Sequence, residues 1–177
     1  MAAAPKLIAP KVNKLLTAVA VLSFIALFVT AYLVYLHFEP AASEFCELGE
    51  GFSCDIVNKS PWSVLTIGSI EIPVAILGFV TYVILFLGSL GVLKKWKFQK
   101  IHSWLRSGNV IKLLSWLSYV GLLFSLYLTY IEAFKLKTYC IFCLAQQSII
   151  LVIAILFLVI NSAIQKSKKE SKVCEFC

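Results

Sequence analysis

Six cysteines stand in three pairs along this chain of 177 residues: Cys46 with Cys54, Cys140 with Cys143, and Cys174 with Cys177. Paired cysteines bind metal, staple a fold or exchange electrons, and spacing and surroundings help to separate these uses. Cys140-Ile-Phe-Cys143 is a C-x-x-C opening a long apolar run, which places it at a helix N-terminus with Thr138 as the expected cap. Unpaired amides and the helix dipole stabilise negative charge over a first turn. That favours the thiolate, the attacking species in disulfide exchange. Cys46 and Cys54 enclose seven residues, among them Gly49 and Gly51. This looser pair suits a shuttle that accepts electrons from a visiting protein, with a purely structural disulfide as the alternative. A four-cysteine zinc site is a third reading, disfavoured because structural zinc ligands usually come as two close pairs.

The elements that must position these thiols are membrane helices. The chain is 60% hydrophobic with a mean hydropathy of +0.91, too apolar for a soluble domain of this length. Its apolar stretches are continuous rather than alternating, so helices are favoured over a barrel, and roughly 20 residues suffice to cross. Four stretches qualify, at residues 15–38, 72–93, 110–134 and 140–164. The expected fold is therefore an all-α integral membrane protein. It is a four-transmembrane-helix bundle, with a short segment at 1–14, a long loop at 39–71 and a lysine-rich tail at 165–177. A cleaved signal peptide is the alternative for the first stretch, but its apolar run is longer than an ordinary signal core.

Lysine and arginine in short loops set orientation. Lys6, Lys11 and Lys14 precede the first helix, a basic cluster from Lys94 to Lys112 surrounds the second connection, and Lys166, Lys168, Lys169 and Lys172 follow the fourth helix. These regions are expected in the cytoplasm, with both termini. The 39–71 loop holds Lys59 as its one cation beside several acids, and with the third connection it is expected outside. The formal net charge of +7 is thus topological and does not argue for nucleic-acid binding. The first four cysteines then share the outer face, where disulfides persist.

Cys46 and Cys54 in the first outer loop, Ser60 and Trp62 shortly after, and Tyr139-Cys140-Ile-Phe-Cys143 opening the last helix resemble the vitamin K epoxide reductase family. Ile72-Pro73-Val74-Ala75-Ile76-Leu77-Gly78 is similar to the start of the second helix in prokaryotic members. The resemblance implies a quinone-linked thiol–disulfide oxidoreductase. By it, Cys46 exchanges with a thioredoxin-like partner, Cys54 forms the transient bridge to Cys140, and Cys143 faces a quinone of ubiquinone, menaquinone or vitamin K type. Ser60 and Trp62 would line the quinone pocket. No thioredoxin-like domain follows the fourth helix, so the partner is expected to be a separate chain. This chain has Gln147 where animal members carry a tyrosine, and Glu71 where a glycine is common. The DsbB family has the same number of helices but the two kinds of cysteine pair in the opposite order. The same residues also fit reduction of vitamin K epoxide in an endoplasmic reticulum, and a non-enzymatic scaffold stapled by two disulfides is the remaining alternative.

From the residues themselves, a quinone needs an apolar slot, a nearby thiolate and polar groups for its oxygens. Gln147, at i+4 from Cys143, shares its helix face and is the expected donor, with Gln146 at i+3 as its companion; either amide would serve as well in binding a neighbouring helix. Ser60 is read as a donor to the quinone or as a cap on the segment entering Pro61. Trp62 alone would be an interfacial anchor. Glu132 is read as solvated at the interface, with a proton relay beneath the thiols as the alternative. His37 and His102 have no assigned role, and Cys174 and Cys177 are expected on the opposite face from the other four.

Overall fold

The computed structural model describes residues 9–38, 51–67, 70–94 and 107–174. Cys46, Cys177, Lys6, His102 and the cluster at 95–106 lie outside the described residues, as does the side chain of Cys174. Four long helices dominate: α1 (Ala9–Phe38), α3 (Val74–Leu93), α4 (Ser107–Ile131) and α5 (Ile141–Cys174). Between α1 and α3 lie a short helix α2 (Cys54–Asn58), a 3-10 turn (Pro61–Ser63) and two strands, β1 (Val64–Ile67) and β2 (Ile70–Pro73). Four segments are long and apolar enough to cross a membrane: Pro10–Phe38, Val74–Leu93, Gly108–Leu136 and Ile141–Ser167. The protein is a multi-pass membrane protein.

The helices form a ring in which α1 packs against α3 and α5, and α4 packs against the same two from the other side. Leu16, Val19, Leu85, Leu114, Ile153, Phe157 and Ile160 fill the centre. Phe28, Trp116 and Leu123 project from the bundle, and in a bilayer these large apolar side chains meet lipid rather than water. Where lipid replaces water, close packing and interhelical hydrogen bonds must hold helices together. At Gly88 a Cβ would come within 2.7 Å of Leu114, so the missing side chain is what lets α3 approach α4. Farther along, Asn161 Nδ2 of α5 donates to Ser115 Oγ of α4 at 3.0 Å.

Several helix ends differ from the hydropathy boundaries for local reasons. α1 begins at Ala9 rather than residue 15, because Pro10 suits a first helical turn and Val12 is already buried in the core. α5 continues past residue 164 to Cys174; Gln, Lys and Glu are good helix formers, and cations favour the C-terminal end of the helix dipole. Ile72 and Pro73, expected inside the second helix, belong instead to a hairpin in which Leu65 faces Ile72 and Val64 faces Pro73. Ile70 and Ile72 are β-branched and flank Glu71, and the residue before a proline is held extended, so the helix starts at Val74.

At the far end of α4 the winding changes. Glu132–Leu136 forms a π turn, closed by the Lys137 amide donating to the Glu132 carbonyl, and Lys137 takes a left-handed φ of 52°. Such wide turns are uncommon and gather at functional sites. This one turns the chain from α4 into the segment that carries Thr138, Tyr139 and Cys140.

Candidate functional site

Two short backbone segments bring the thiols together. Phe52 and Tyr139 form an isolated parallel bridge: the Tyr139 amide donates to Gly51 O at 2.9 Å, and the Ser53 amide donates to Tyr139 O at 3.1 Å. One residue beyond Ser53 lies Cys54, and one beyond Tyr139 lies Cys140. The bridge therefore fixes in register two cysteines that each stand at the start of a helix. Ser53 caps α2, its side chain accepting from the Ile56 amide. Its other end is held to α1: Asn58 Nδ2 donates to Leu33 O at 2.7 Å, and His37 Nδ1 lies 2.8 Å from Asn58 O. Asn58 and His37 thus anchor the redox loop, a role that their isolated positions in the sequence did not signal.

Cys54 and Cys140 are both fully buried, and their sulfurs lie 3.0 Å apart. Cys54 is disulfide-bonded, whereas Cys140 and Cys143 are free thiols. A thiol in contact with a disulfide sulfur is poised for exchange, in which the attacking sulfur takes the bond and the far sulfur leaves.

Cys140 is itself the residue that caps α5. Its carbonyl accepts from the Leu144 amide at 3.0 Å, and its sulfur accepts from the Cys143 amide at 3.4 Å, the two bonds expected of an N-cap residue. Thr138, the expected cap, stands two residues too early, its amide occupied with the Glu132 carbonyl at 3.3 Å. A hydrogen bond from the Cys143 side chain, helped by the amides of Cys143 and Phe142, holds the Cys140 thiol below its ordinary pKa. Burial and the neighbouring Glu132 carboxylate oppose this without reversing it. Of the two cysteines in the C-x-x-C, Cys140 is the one disposed to be thiolate.

Glu132 is not solvated. Only 2% of its surface is exposed, because the π turn carries it inward beneath the thiols. Its Oε2 accepts from the Cys140 amide at 3.3 Å, and its carboxyl is hydrogen-bonded to the Cys143 side chain. The sequence signal available was an acid eight residues before a C-x-x-C; its depth depended on a turn that hydropathy does not reveal.

Next to the thiols is a cavity of about 350 Å³ walled by α1, α2, α3, α4 and α5. Its walls are mainly apolar, with Leu77, Val120 and Phe124 prominent, and Cys143, Glu132 and Gln146 supply polar groups. Ser60 and Trp62 both line it. Ser60 is buried and its side chain makes no capping bond to the 3-10 turn, so the capping alternative fails; Trp62 remains 48% exposed at the mouth. Gln146, not Gln147, reaches the wall. Gln146 Nε2 donates to Ala26 O at 3.0 Å, which leaves Oε1 buried and without a hydrogen-bond partner among the described residues. Gln147 is hydrogen-bonded to Thr129, which does line the cavity. An apolar slot with a thiol and an unused buried acceptor fits a quinone ring, whose reduced form carries hydroxyl donors.

No curated protein matches the chain. The model of the vitamin K epoxide reductase family matches residues 17–159, which include every described residue of this site. The chain therefore belongs to the vitamin K epoxide reductase family and is a membrane thiol–disulfide oxidoreductase.

Proposed function

We propose that this protein oxidises a separate thioredoxin-fold protein and delivers the electrons to a membrane quinone, so supporting disulfide formation. The contact of 3.0 Å between Cys54 and Cys140 is the observation that carries this reading. Cys46 is the disulfide partner assigned here to Cys54. The partner's dithiol attacks Cys46; Cys54 leaves and, once the partner's second thiol has resolved the mixed disulfide, both loop cysteines are thiols. Cys54 then attacks Cys140 of an oxidised C-x-x-C and Cys143 leaves. Attack of Cys46 on Cys54 restores the loop disulfide and leaves Cys140 and Cys143 reduced. The described thiol states, with Cys54 bonded and the C-x-x-C free, correspond to this last stage. Two electrons from the C-x-x-C, together with two protons, then convert quinone to quinol.

The cavity is the quinone site in this reading. Cys143 faces the ring, Ser60 and Trp62 bound it, Gln146 accepts from a quinol hydroxyl, and Gln147 acts at one remove by holding Thr129. The thiol-bearing end of the bundle faces away from the cytoplasm, since exposed Lys11, Lys14, Lys94, Lys112 and Lys166 all gather at the opposite end.

The test is turnover of protein in lipid nanodiscs with a reduced thioredoxin-fold substrate and a short-chain ubiquinone or menaquinone. Quinone loss is expected in the wild type and is abolished in Cys54→Ala, Cys140→Ala and Cys143→Ala. Undiminished turnover in Cys143→Ala removes the proposal, and turnover with vitamin K epoxide alone would reassign the acceptor.

A further inference from the structure

We infer that Glu132 is the proton carrier of Cys143: it protonates the Cys143 sulfur when that sulfur leaves the disulfide and takes the proton back when the disulfide re-forms. The inference rests on the reading of Cys143 as the thiol that faces the acceptor. It starts from a physical difficulty. Cys143 lies beside a mainly apolar cavity, so a sulfur leaving there as an anion meets few groups that can stabilise its charge. A proton source within hydrogen-bond reach removes the difficulty. Glu132 is buried, touches the Cys143 side chain, and lines the same cavity.

The atoms balance. Cys54 as thiolate attacks the Cys140 sulfur, the Cys140–Cys143 bond breaks, and the Glu132 carboxylic acid gives its proton to Cys143. The products are a Cys54–Cys140 disulfide, a Cys143 thiol and a Glu132 carboxylate. In the return direction the Cys140 thiolate and the Cys143 thiol join in a disulfide, the two electrons they give up pass to the quinone, and the Cys143 proton moves to Glu132. Glu132 is then the acid once more, and the quinone takes its two protons from solvent in becoming quinol, matching the two that Cys46 and Cys54 release.

The geometry also argues against a purely structural role. Capping the Cys140 amide needs only an acceptor oxygen, and a glutamine would provide one. The bond to the Cys143 thiol adds a partner that exchanges protons during the reaction.

Glu132→Gln separates the two roles, because it keeps the amide acceptor and removes the acid. Infrared difference spectra of the full-length protein in nanodiscs, oxidised against reduced and without quinone, are expected to show a carboxyl C=O band that changes with thiol state and is absent in Glu132→Gln. Quinone reduction with a short-chain ubiquinone should fall about a hundredfold in the variant, the scale of a lost general acid or base. Trapping of the Cys54–Cys140 disulfide in a Cys46→Ser background should be retained in Glu132→Gln, showing that the sulfurs still meet. A carboxyl band indifferent to thiol state, or turnover in Glu132→Gln within about threefold of wild type, overturns the inference. If the wild type reduces no quinone at all, the functional reading fails, and the infrared band still decides the role of Glu132.

Discussion

The sulfur of Cys140 sits 3.0 Å from that of Cys54 while also receiving the amide of Cys143, so one atom is both the point of disulfide exchange and a helix cap. A capping oxygen would do the second task and not the first. The hydrogen bonds that end α5 are the same ones that favour the thiolate, and the arrangement predicts how reactivity depends on pH.

Alkylation of Cys140 in reduced protein should follow a titration midpoint below the ordinary thiol value of 9.0. Cys143→Ala, which deletes the largest stabilising hydrogen bond, should move that midpoint upward. The sign for stability follows from linkage: a depressed folded pKa stabilises the reduced fold fully above the unfolded thiol value and loses that contribution as pH falls through the folded value. Iodoacetamide rates across pH, with peptide mapping, provide the measurement; a midpoint unmoved by Cys143→Ala would contradict the assigned cause.

Removing Cys46 should strand the relay. In Cys46→Ser no loop cysteine can resolve a Cys54–Cys140 bridge, which leaves only reversal by Cys143, and the contact already present means that little rearrangement is needed to form it. Mass spectrometry without reductant is expected to find this linkage as the main product after mild oxidation. Recovery of only Cys140–Cys143 would argue that the two pairs do not communicate.

Gln146→Leu removes a buried acceptor that has no partner among the described residues. If that oxygen serves quinol, kcat/KM for quinone falls about tenfold, the worth of one buried hydrogen bond, while Cys54–Cys140 exchange is unaffected. Gln147→Leu should have the smaller effect, acting only through Thr129. Steady-state kinetics on the two variants side by side rank them, and the reverse order would place the ring elsewhere.

Asn58→Ala loosens α2 from α1 by deleting the bond to Leu33 O. A loss of about 0.5–1.5 kcal/mol is expected from the deleted hydrogen bond. Thermal unfolding in detergent reads the stability, and slower trapping of the Cys54–Cys140 bridge reads the loss of alignment.

The thiols and the spans were legible because both are local signals: a spacing in one case, a run of apolar residues in the other. What escaped depended on contacts between distant segments. Phe52 and Tyr139 meet through backbone atoms, which no side-chain pattern announces. Thr138 was the natural expectation for a cap because Thr is a common capping residue and Cys is not, yet the thiolate supplies a better acceptor than a neutral thiol would. Glu132 at the edge of an apolar run looks solvated until a π turn carries it inward. Gln146 and Gln147 are neighbours of equal chemistry, and only the position of α5 against α1 and α4 separates them.

The capping sulfur has a mechanical corollary. Whenever Cys140 trades its free thiolate for a covalent bond to another sulfur, the first turn of a 34-residue helix loses an anionic acceptor at its cap. Phe142 in that turn stacks edge-on against Tyr32 of α1 at 5.0 Å, so the disturbance is handed directly to a neighbouring strut. The redox state of Cys140 and the capping of α5 are consequently tied to a single atom.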